Sequence, residues 1–256
     1  MKKTITITIA NHKGGVGKTT TAVTLATGLA GLGYRVVLID CDVQGHVAPF
    51  LGLERRRSLY EFIIQEKPAD LQTIGNLSVL AGNEWTAEIG RALDQSQFLD
   101  KSTALKDALK RLPTDTHLIL IDTAPSVAAV QLSAINAADW LLVPAIPEFA
   151  SEAGIMALTK MVAKMREKRV SAIDLLGILP TMVQTRRDEH EQTLEAWKEK
   201  LGPLLLPRVR NLTELGEAPG RGLPIWKYAP RSQGARDYAT VLVNVKNRLG
   251  LNNGKA

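Results

Sequence analysis

Short apolar runs alternate along the chain with longer segments in which apolar residues recur at helical spacing. Most of these runs are apolar throughout, which is typical of strands that are buried on both faces of a parallel sheet. The strands are predicted at residues 4–10, 35–42, 77–82, 117–126, 138–147, 172–181 and 202–209. The helices are predicted at residues 18–33, 102–112, 151–168, 188–202 and 232–250.

This alternation predicts an α/β fold with a doubly wound, mostly parallel twisted sheet that is flanked by helices. The chain has 256 residues, a length that suits one large domain of this class. No Gly/Ser-rich linker interrupts it. We therefore expect residues 1–256 to form a single domain.

Composition excludes several classes of protein. Cys41 is the one cysteine of the sequence, which excludes a disulfide framework and a cysteine-rich metal site. No segment reaches the roughly 18 apolar residues of a membrane span. The N-terminus lacks the apolar core of a signal peptide, so we expect a cytoplasmic protein.

The net charge of +6 comes from the last fifth of the chain, where residues 203–256 carry nine lysines and arginines against three acidic residues. A segment of this charge predicts a polyanionic partner such as a nucleic acid. A solvated surface with no partner is the alternative, because net charge bears on association and not on fold.

A glycine-rich segment, NHKGGVGKTT at residues 11–20, joins the first predicted strand to the first predicted helix. Its end matches the loop that binds nucleotide phosphates, but His12 stands in place of the usual first glycine and Lys13 adds a cation. Glycines let backbone N–H groups approach phosphates at the positive end of a helix dipole. We expect Lys18 to contact the β- and γ-phosphates and the Thr19 hydroxyl to bind Mg²⁺.

Carboxylates stand at the ends of two predicted strands. Asp40 and Asp42 end one strand, and Asp122 lies near the end of another. Ligands of open α/β sheets bind at the carboxyl ends of the strands, and Mg²⁺ prefers oxygen ligands. We expect these side chains to meet the phosphates, with helix capping after the strand as the alternative for Asp40 and Asp42.

Five segments together resemble the ParA/MinD family of ATPases with its deviant Walker A loop. They are KGGVGKTT (13–20), DCDVQGH (40–46), DTAPS (122–126), LLVPAIPEFASEAG (141–154) and EAPGRGLPIWKYAPRSQGARDYATV (217–241). The resemblance covers nearly the whole chain and implies a P-loop NTPase-like fold. Glu148 and Glu152 fall on the acidic positions of the fourth segment, whereas Val43 and His46 replace the family's Pro and Asn in the second.

The resemblance implies a role for each matched position. Lys13 reaches across a dimer interface to the partner subunit's nucleotide, Asp42 positions the attacking water, and Asp122 is the Walker B aspartate. The implied catalytic residues are Lys13, Lys18 and Asp42, and the implied metal-binding residues are Thr19, Asp40 and Asp122. The implied nucleotide-binding residues are Lys13, Gly14, Gly15, Val16, Gly17, Lys18, Thr19 and Thr20, with Thr181, Met182 and Pro207 framing the adenine.

The resemblance is closest to the partition-type members. It implies an ATP-dependent homodimer that uses ATP and Mg²⁺, binds nucleoid DNA nonspecifically and positions a plasmid, a chromosome or a protein assembly. A ParB-like partner is implied to stimulate hydrolysis. The implied DNA-binding residues are Arg208, Arg210, Arg221, Lys227, Arg231, Arg236 and Lys246.

Two other functions remain open at this point. One is a MinD-like, membrane-associated positioning ATPase, although the tail at residues 247–256 has few apolar residues and predicts a poor membrane anchor. The other is a nucleotide-switched scaffold with vestigial hydrolysis, which the departures at Val43 and His46 would suit. The related iron–sulfur reductases are excluded because they need paired cysteines.

Overall fold

The computed structural model describes residues 3–95, 100, 102–125, 129–168 and 170–251. Seven strands in this part of the chain form one sheet. They are β1 (Ile5–Ile9), β2 (Val36–Cys41), β3 (Gln72–Ile74), β4 (Leu77–Leu80), β5 (Leu118–Thr123), β6 (Trp140–Ala145) and β7 (Asp174–Pro180).

The sheet confirms the predicted α/β fold class. Its strand order is β3-β4-β2-β5-β1-β6-β7. Every neighbouring pair is parallel except β3 and β4, which form a short antiparallel pair at one edge. Because β1 and β2 both pair with β5, these three strands lie at the centre of the sheet. Their carboxyl ends are therefore neighbours at the end of the sheet where the parallel strands finish, which is called its carboxyl edge below.

Helices cover both faces of the sheet. They are α1 (Lys18–Gly31), α2 (Val47–Phe50), α3 (Ser58–Ile63), α4 (Thr86–Gln95), α5 (Ala104–Leu109), α6 (Ala129–Ala137), α7 (Ser151–Glu167), α8 (Asp188–Leu201), α9 (Thr213–Glu217), α10 (Ile225–Tyr228) and α11 (Gln233–Arg248). No helix in the described ranges is long and apolar enough to span a bilayer.

Alternate residues of a central strand face opposite layers, as a doubly wound sheet requires. Val36 and Leu38 of β2 belong to the apolar cluster that includes α1 and α11. Val37 and Ile39 of the same strand belong to the cluster formed with α5 and α6. This burial on both faces explains why the strand sequence is apolar at nearly every position.

The strand predicted at residues 202–209 is wrong. A 3₁₀ turn covers Gly202–Leu204, and the chain then runs beside β7 with isolated bridges only. The Leu206 N–H donates to the Ile178 carbonyl at 2.9 Å, but the next bond to β7 runs from the Val209 N–H to the Pro180 carbonyl at 2.8 Å. Three residues of this segment thus oppose two of β7, and the shift in register interrupts the ladder. The segment therefore covers the edge of β7 without becoming a regular strand.

The other boundaries differ in smaller ways. The strand predicted at residues 117–126 ends at Thr123, and Ser126 at its predicted end lies outside the described residues. The sequence pattern did not predict β3, α2, α3, α9 and α10, because elements of three to six residues carry too little periodicity to be recognised. It also failed to predict two longer helices, α4 with ten residues and α6 with nine.

The loop after β2 packs tightly against the end of β4. A Cβ atom on Gly82 would lie 2.3 Å from the Asp40 carbonyl oxygen, and one on Gly45 would lie 2.4 Å from the Gly82 carbonyl oxygen. Both contacts would be with backbone carbonyl oxygens, which cannot rotate away as a side chain can. Any residue with a Cβ atom would therefore clash at Gly82 and at Gly45.

We expect Gly82→Ala to lower the free energy of unfolding by about 1–3 kcal/mol, the usual cost of overpacking. Gly90→Ala is the matched control, because a Cβ there meets nothing within 4 Å and Gly90 lies inside α4. That change should stabilise the protein by about 0.5–1 kcal/mol. Urea unfolding of both variants checks this, and equal effects would contradict the close packing at Gly82.

Candidate active site

The glycine-rich loop connects β1 to α1 in the context that phosphate binding needs. Gly15 and Gly17 have φ of +70° and +79°, a conformation that other residues rarely adopt. Gly17 directly precedes α1, and no side chain caps the helix there. The first N–H groups of this 14-residue helix therefore point toward the loop, where a bound anion could accept their hydrogen bonds.

Two side chains hold the loop from opposite sides. The Asn11 amide donates to the Pro144 carbonyl at 2.7 Å, and its oxygen accepts the Lys13 N–H at 3.0 Å. The Thr181 hydroxyl donates to the Val16 carbonyl at 2.9 Å. Asn11 was missed in the sequence, although a polar residue directly between a buried strand and a glycine loop could have drawn attention to it.

Lys18 is buried at the start of α1. Its ammonium donates to the Lys13 carbonyl at 3.2 Å and so folds back over the loop. Burial lowers the pKa of Lys18, while the nearby carboxylates of Asp122 and Asp42 oppose that shift. A cation at this place, enclosed by a loop of N–H donors, can bind a phosphate group.

Asp122 at the end of β5 accepts a hydrogen bond from the Thr19 hydroxyl at 2.7 Å. Its side chain is fully buried, and its Oδ1 atom has no hydrogen-bond partner. Burial, together with the charge of Asp40, raises the pKa of Asp122 well above its ordinary value. A hydroxyl and an unpartnered carboxylate oxygen fit the ligand preferences of Mg²⁺.

Magnesium would need further ligands. No group of three or more His, Cys, Asp or Glu side chains in the described ranges is arranged to hold a metal. Because Mg²⁺ is usually bound through one or two carboxylates plus phosphate oxygens and water, the pair formed by Thr19 and Asp122 fits an ion that arrives with a nucleotide.

Asp40 lies opposite Asp122 in the register of β2 and β5. Its two carboxylate oxygens accept the backbone N–H groups of Asp42 and Val47, each at 3.0 Å. Burial raises the pKa of Asp40 against the effect of these hydrogen bonds. Asp40 thus shapes the loop between β2 and α2, and its bond to the Val47 N–H satisfies a donor at the start of α2, in agreement with the capping alternative.

Asp42 lies at the mouth of the site and is 9% exposed. Its Oδ1 atom accepts the Gln44 N–H at 2.9 Å, a local turn of the kind that aspartate favours. The charge of Asp42 acts to raise the pKa of both Lys18 and Asp122. The fold therefore brings the three carboxylates, Lys18 and Thr19 to one edge of the sheet.

The predicted adenine-framing residues are only partly assembled. A Cβ on Gly17 would lie 3.9 Å from the Thr181 side chain and 4.0 Å from the Met182 Cε, so both residues border the loop. Met182 has φ of +51° and is partly exposed. Pro207 is half-buried in the segment that runs beside β7, and none of the described contacts joins it to the loop.

Lys13 extends away from Lys18 to the loop after β6. Its Nζ atom lies 2.6 Å from the Glu148 Oε2 atom. Arg187 stands on the other side of that carboxylate, with Nη1 3.8 Å from Oε1. The hydrogen bond from Lys13 lowers the pKa of Glu148, so this carboxylate is ionised at neutral pH.

The seven predicted DNA-binding residues do not share one environment. The exposed ones are Arg208, Arg221, Lys227, Arg231 and Arg236, and the half-buried ones are Arg210 and Lys246. Arg210 donates through Nη2 to the Asp237 Oδ1 atom at 2.7 Å and through Nε to Oδ2 at 3.0 Å. Because Asp237 is buried, this bidentate pair ties the segment beside β7 to α11 and engages Arg210 within the fold.

Comparisons with known sequences show the family of this chain, and a comparison with solved structures shows its fold. A family model described as an AAA domain matches residues 4–175. The chain is 34% identical over 249 residues to the chromosome-partitioning ATPase Soj of Thermus thermophilus, covering 95% of this chain and 96% of that protein. It is 32% identical over 253 residues to the chromosome partitioning protein ParA of Caulobacter vibrioides, covering 94% of each. An ATP complex of McdA from Cyanothece, 23% identical, shares the fold with a TM-score of 0.86 over the full length of both chains.

We expect Asp122→Asn to raise the free energy of unfolding of the nucleotide-free protein by at least about 1 kcal/mol at neutral pH, because it removes a carboxyl group whose pKa is raised in the fold by burial and by Asp40. The same variant should lose the stabilisation that ATP with Mg²⁺ gives. Thermal unfolding with and without nucleotide measures both. Asp115→Asn on the surface should change stability by less than about 0.5 kcal/mol; a less stable Asp122→Asn protein would contradict the charge argument.

Proposed function

This chain belongs to the ParA family of partitioning ATPases, and on that premise we propose that it hydrolyses ATP to control a dimer that binds DNA and positions a cargo. The observation that carries this proposal is the unpartnered Asp122 oxygen beside the Thr19 hydroxyl at the glycine loop. The names of the relatives support the biological role, since they are chromosome-partitioning proteins.

The glycine loop would bind the triphosphate. Backbone N–H groups of residues 14–20 would donate to its oxygens, and Lys18 would leave the Lys13 carbonyl to contact the β- and γ-phosphates. Thr19 and Asp122 would hold Mg²⁺, which offsets phosphate charge when it is bound. Thr181 and Met182 border the same loop and would support the nucleotide on its other side.

Hydrolysis would need little beyond positioning and charge neutralisation. Asp42 lies at the mouth of the site and would orient a water molecule for attack on the γ-phosphorus by accepting its hydrogen bond. The bond from that phosphorus to the β–γ bridging oxygen would break, and Lys18 would offset the charge that develops there. Val43 lies next to Asp42 and is exposed.

Two nucleotides would join two copies of the chain. Lys13 stands at the outer side of the loop, with 39% of its side chain exposed, so its ammonium could reach a neighbouring subunit. A second cation near Lys18 is unfavourable unless an anion lies between them, and a triphosphate supplies that anion. ATP would therefore stabilise the dimer, and hydrolysis would release it.

The ATP-bound dimer would bind nucleoid DNA nonspecifically through phosphate contacts. The exposed cations on the α9–α11 side support this. The two aromatic residues beside Lys227 are bonded within the fold, Trp226 to the Thr24 carbonyl and Tyr228 to Glu217. A ParB-like partner would stimulate hydrolysis on a cargo, which could be a plasmid, a chromosome or a protein assembly. The tail considered as a membrane anchor includes residues 252–256, which lie outside the described residues.

We expect Asp42→Ala to bind ATP and dimerise but to turn over at least about 100-fold more slowly, because the attacking water loses its orienting group. The trapped dimer should stay on DNA. Steady-state phosphate release and DNA cosedimentation measure this, with and without a ParB-like partner. Lys18→Ala is the control that should lose nucleotide binding. Rapid turnover by Asp42→Ala would refute its role, and a wild-type protein without turnover would favour the vestigial scaffold.

We expect Arg236→Gln to weaken DNA binding at every sequence tested and to reduce the slope of log affinity against log salt by about 1, since one phosphate contact is lost. Arg91→Gln removes an exposed arginine from α4, which packs on the other face of the sheet. It should leave the DNA affinity and its salt slope unchanged.

Arg210→Gln should instead destabilise the fold, because it leaves the buried Asp237 carboxylate without its arginine partner. Fluorescence anisotropy at several salt concentrations and urea unfolding separate these outcomes.

A further inference from the structure

The Lys13 ammonium already has an anionic partner within its own subunit. Nζ lies 2.6 Å from Glu148 Oε2, a short charge-assisted hydrogen bond. Glu148 belongs to the loop between β6 and α7, so the contact bridges two loops of one edge of the sheet. To contact the phosphates of a second subunit, the ammonium has to leave this carboxylate or share its three N–H donors with it, and either change weakens the bond to Glu148.

We propose that Glu148 holds Lys13 within the monomer and thereby sets the threshold for ATP-dependent dimerisation. This inference rests on the proposed function, because it concerns the regulation of the same site. The contact acts as an autoinhibitory lock: the dimer forms only when the triphosphate of the partner subunit attracts Lys13 more strongly than Glu148 does.

The surroundings allow Lys13 to leave without disturbing the loop. The Lys13 backbone N–H is bound to Asn11, so the side chain can rotate while the phosphate-binding backbone stays in place. The Glu148 carboxylate does not become uncompensated, because Arg187 stands 3.8 Å from its other oxygen. When Lys13 leaves, Arg187 is the cation that remains near Glu148. The carboxylate therefore keeps a positively charged neighbour.

The exposure of the pair limits the size of the effect. The Lys13 and Glu148 side chains are 39% and 28% exposed, and such ion pairs contribute little to stability. Each dimer breaks two of them, so the two contributions add in the dimerisation equilibrium. Removing the lock should tighten the dimer by about two- to thirtyfold. A change of this size lowers the protein concentration at which the ATP-bound dimer forms, but it does not make the dimer independent of nucleotide.

The test compares Glu148→Gln with wild type by analytical ultracentrifugation in Mg²⁺ and a non-hydrolysable ATP analogue. Gln keeps the size of the side chain and removes its charge. The variant should dimerise about two- to thirtyfold more tightly at low salt, with the gap narrowing near about 1 M salt as the pair is screened. Glu152→Gln is the matched control: it removes the ion pair with Lys200, 3.0 Å away, which does not involve the loop, and should match wild type.

Affinity for a fluorescent ATP analogue in dilute monomer should be the same in all three proteins, so that any gain in dimerisation does not come from nucleotide binding. A dimerisation constant for Glu148→Gln equal to that of wild type overturns the inference. Weaker dimerisation also overturns it, since Glu148 would then be a contact of the dimer itself. A wild-type protein that stays monomeric refutes the proposed function instead.

Discussion

The parallel pairing of β5 with β1 on one side and β2 on the other is the constraint on which the site depends. It places Asp122 between Ile9, just before the glycine loop, and Asp40 at the end of β2. Two carboxylates that would repel each other in any structure are thus buried side by side. The apolar strands that hold them cannot separate without exposing the core, so the pKa values of both carboxyl groups stay raised until a bound cation favours their ionised forms.

Backbone groups and short side chains support this edge from within. Asp40 uses both of its oxygens on backbone N–H groups of the next loop, while Asn11 and Thr181 fix the two ends of the glycine loop. A site supported in this way needs little rearrangement when charge develops on a ligand. The long side chains of Lys13 and Lys18 are the parts that would move, and each contacts an acceptor within its own subunit in this structure.

The basic C-terminal segment combines two kinds of cation that charge counting cannot separate. Arg210 and Arg248 are engaged by the fold: the first by the buried Asp237, the second by the carbonyls of Leu176 and Pro203 at 2.6 and 2.5 Å. These hydrogen bonds from Arg248 join the end of α11 to β7 and to the segment that runs beside it. Arg236 is exposed and, among the described residues, donates only to nearby groups, the Gln233 side chain and the Arg231 carbonyl, so residues of this kind are accessible to a polyanion. The excess of +6 therefore overstates the charge available to DNA.

The fold class, the glycine loop and the carboxylates at the strand ends were predictable before any coordinates, because they depend on local patterns and on the rule that parallel strands share one carboxyl edge. The contacts between residues far apart in the chain were not predictable in this way. They pair Arg210 with Asp237 and Lys13 with Glu148, and they shift the register of the segment beside β7 so that it is not a regular strand. Such pairs are formed by packing, and no local pattern encodes which distant side chain a flexible cation will meet.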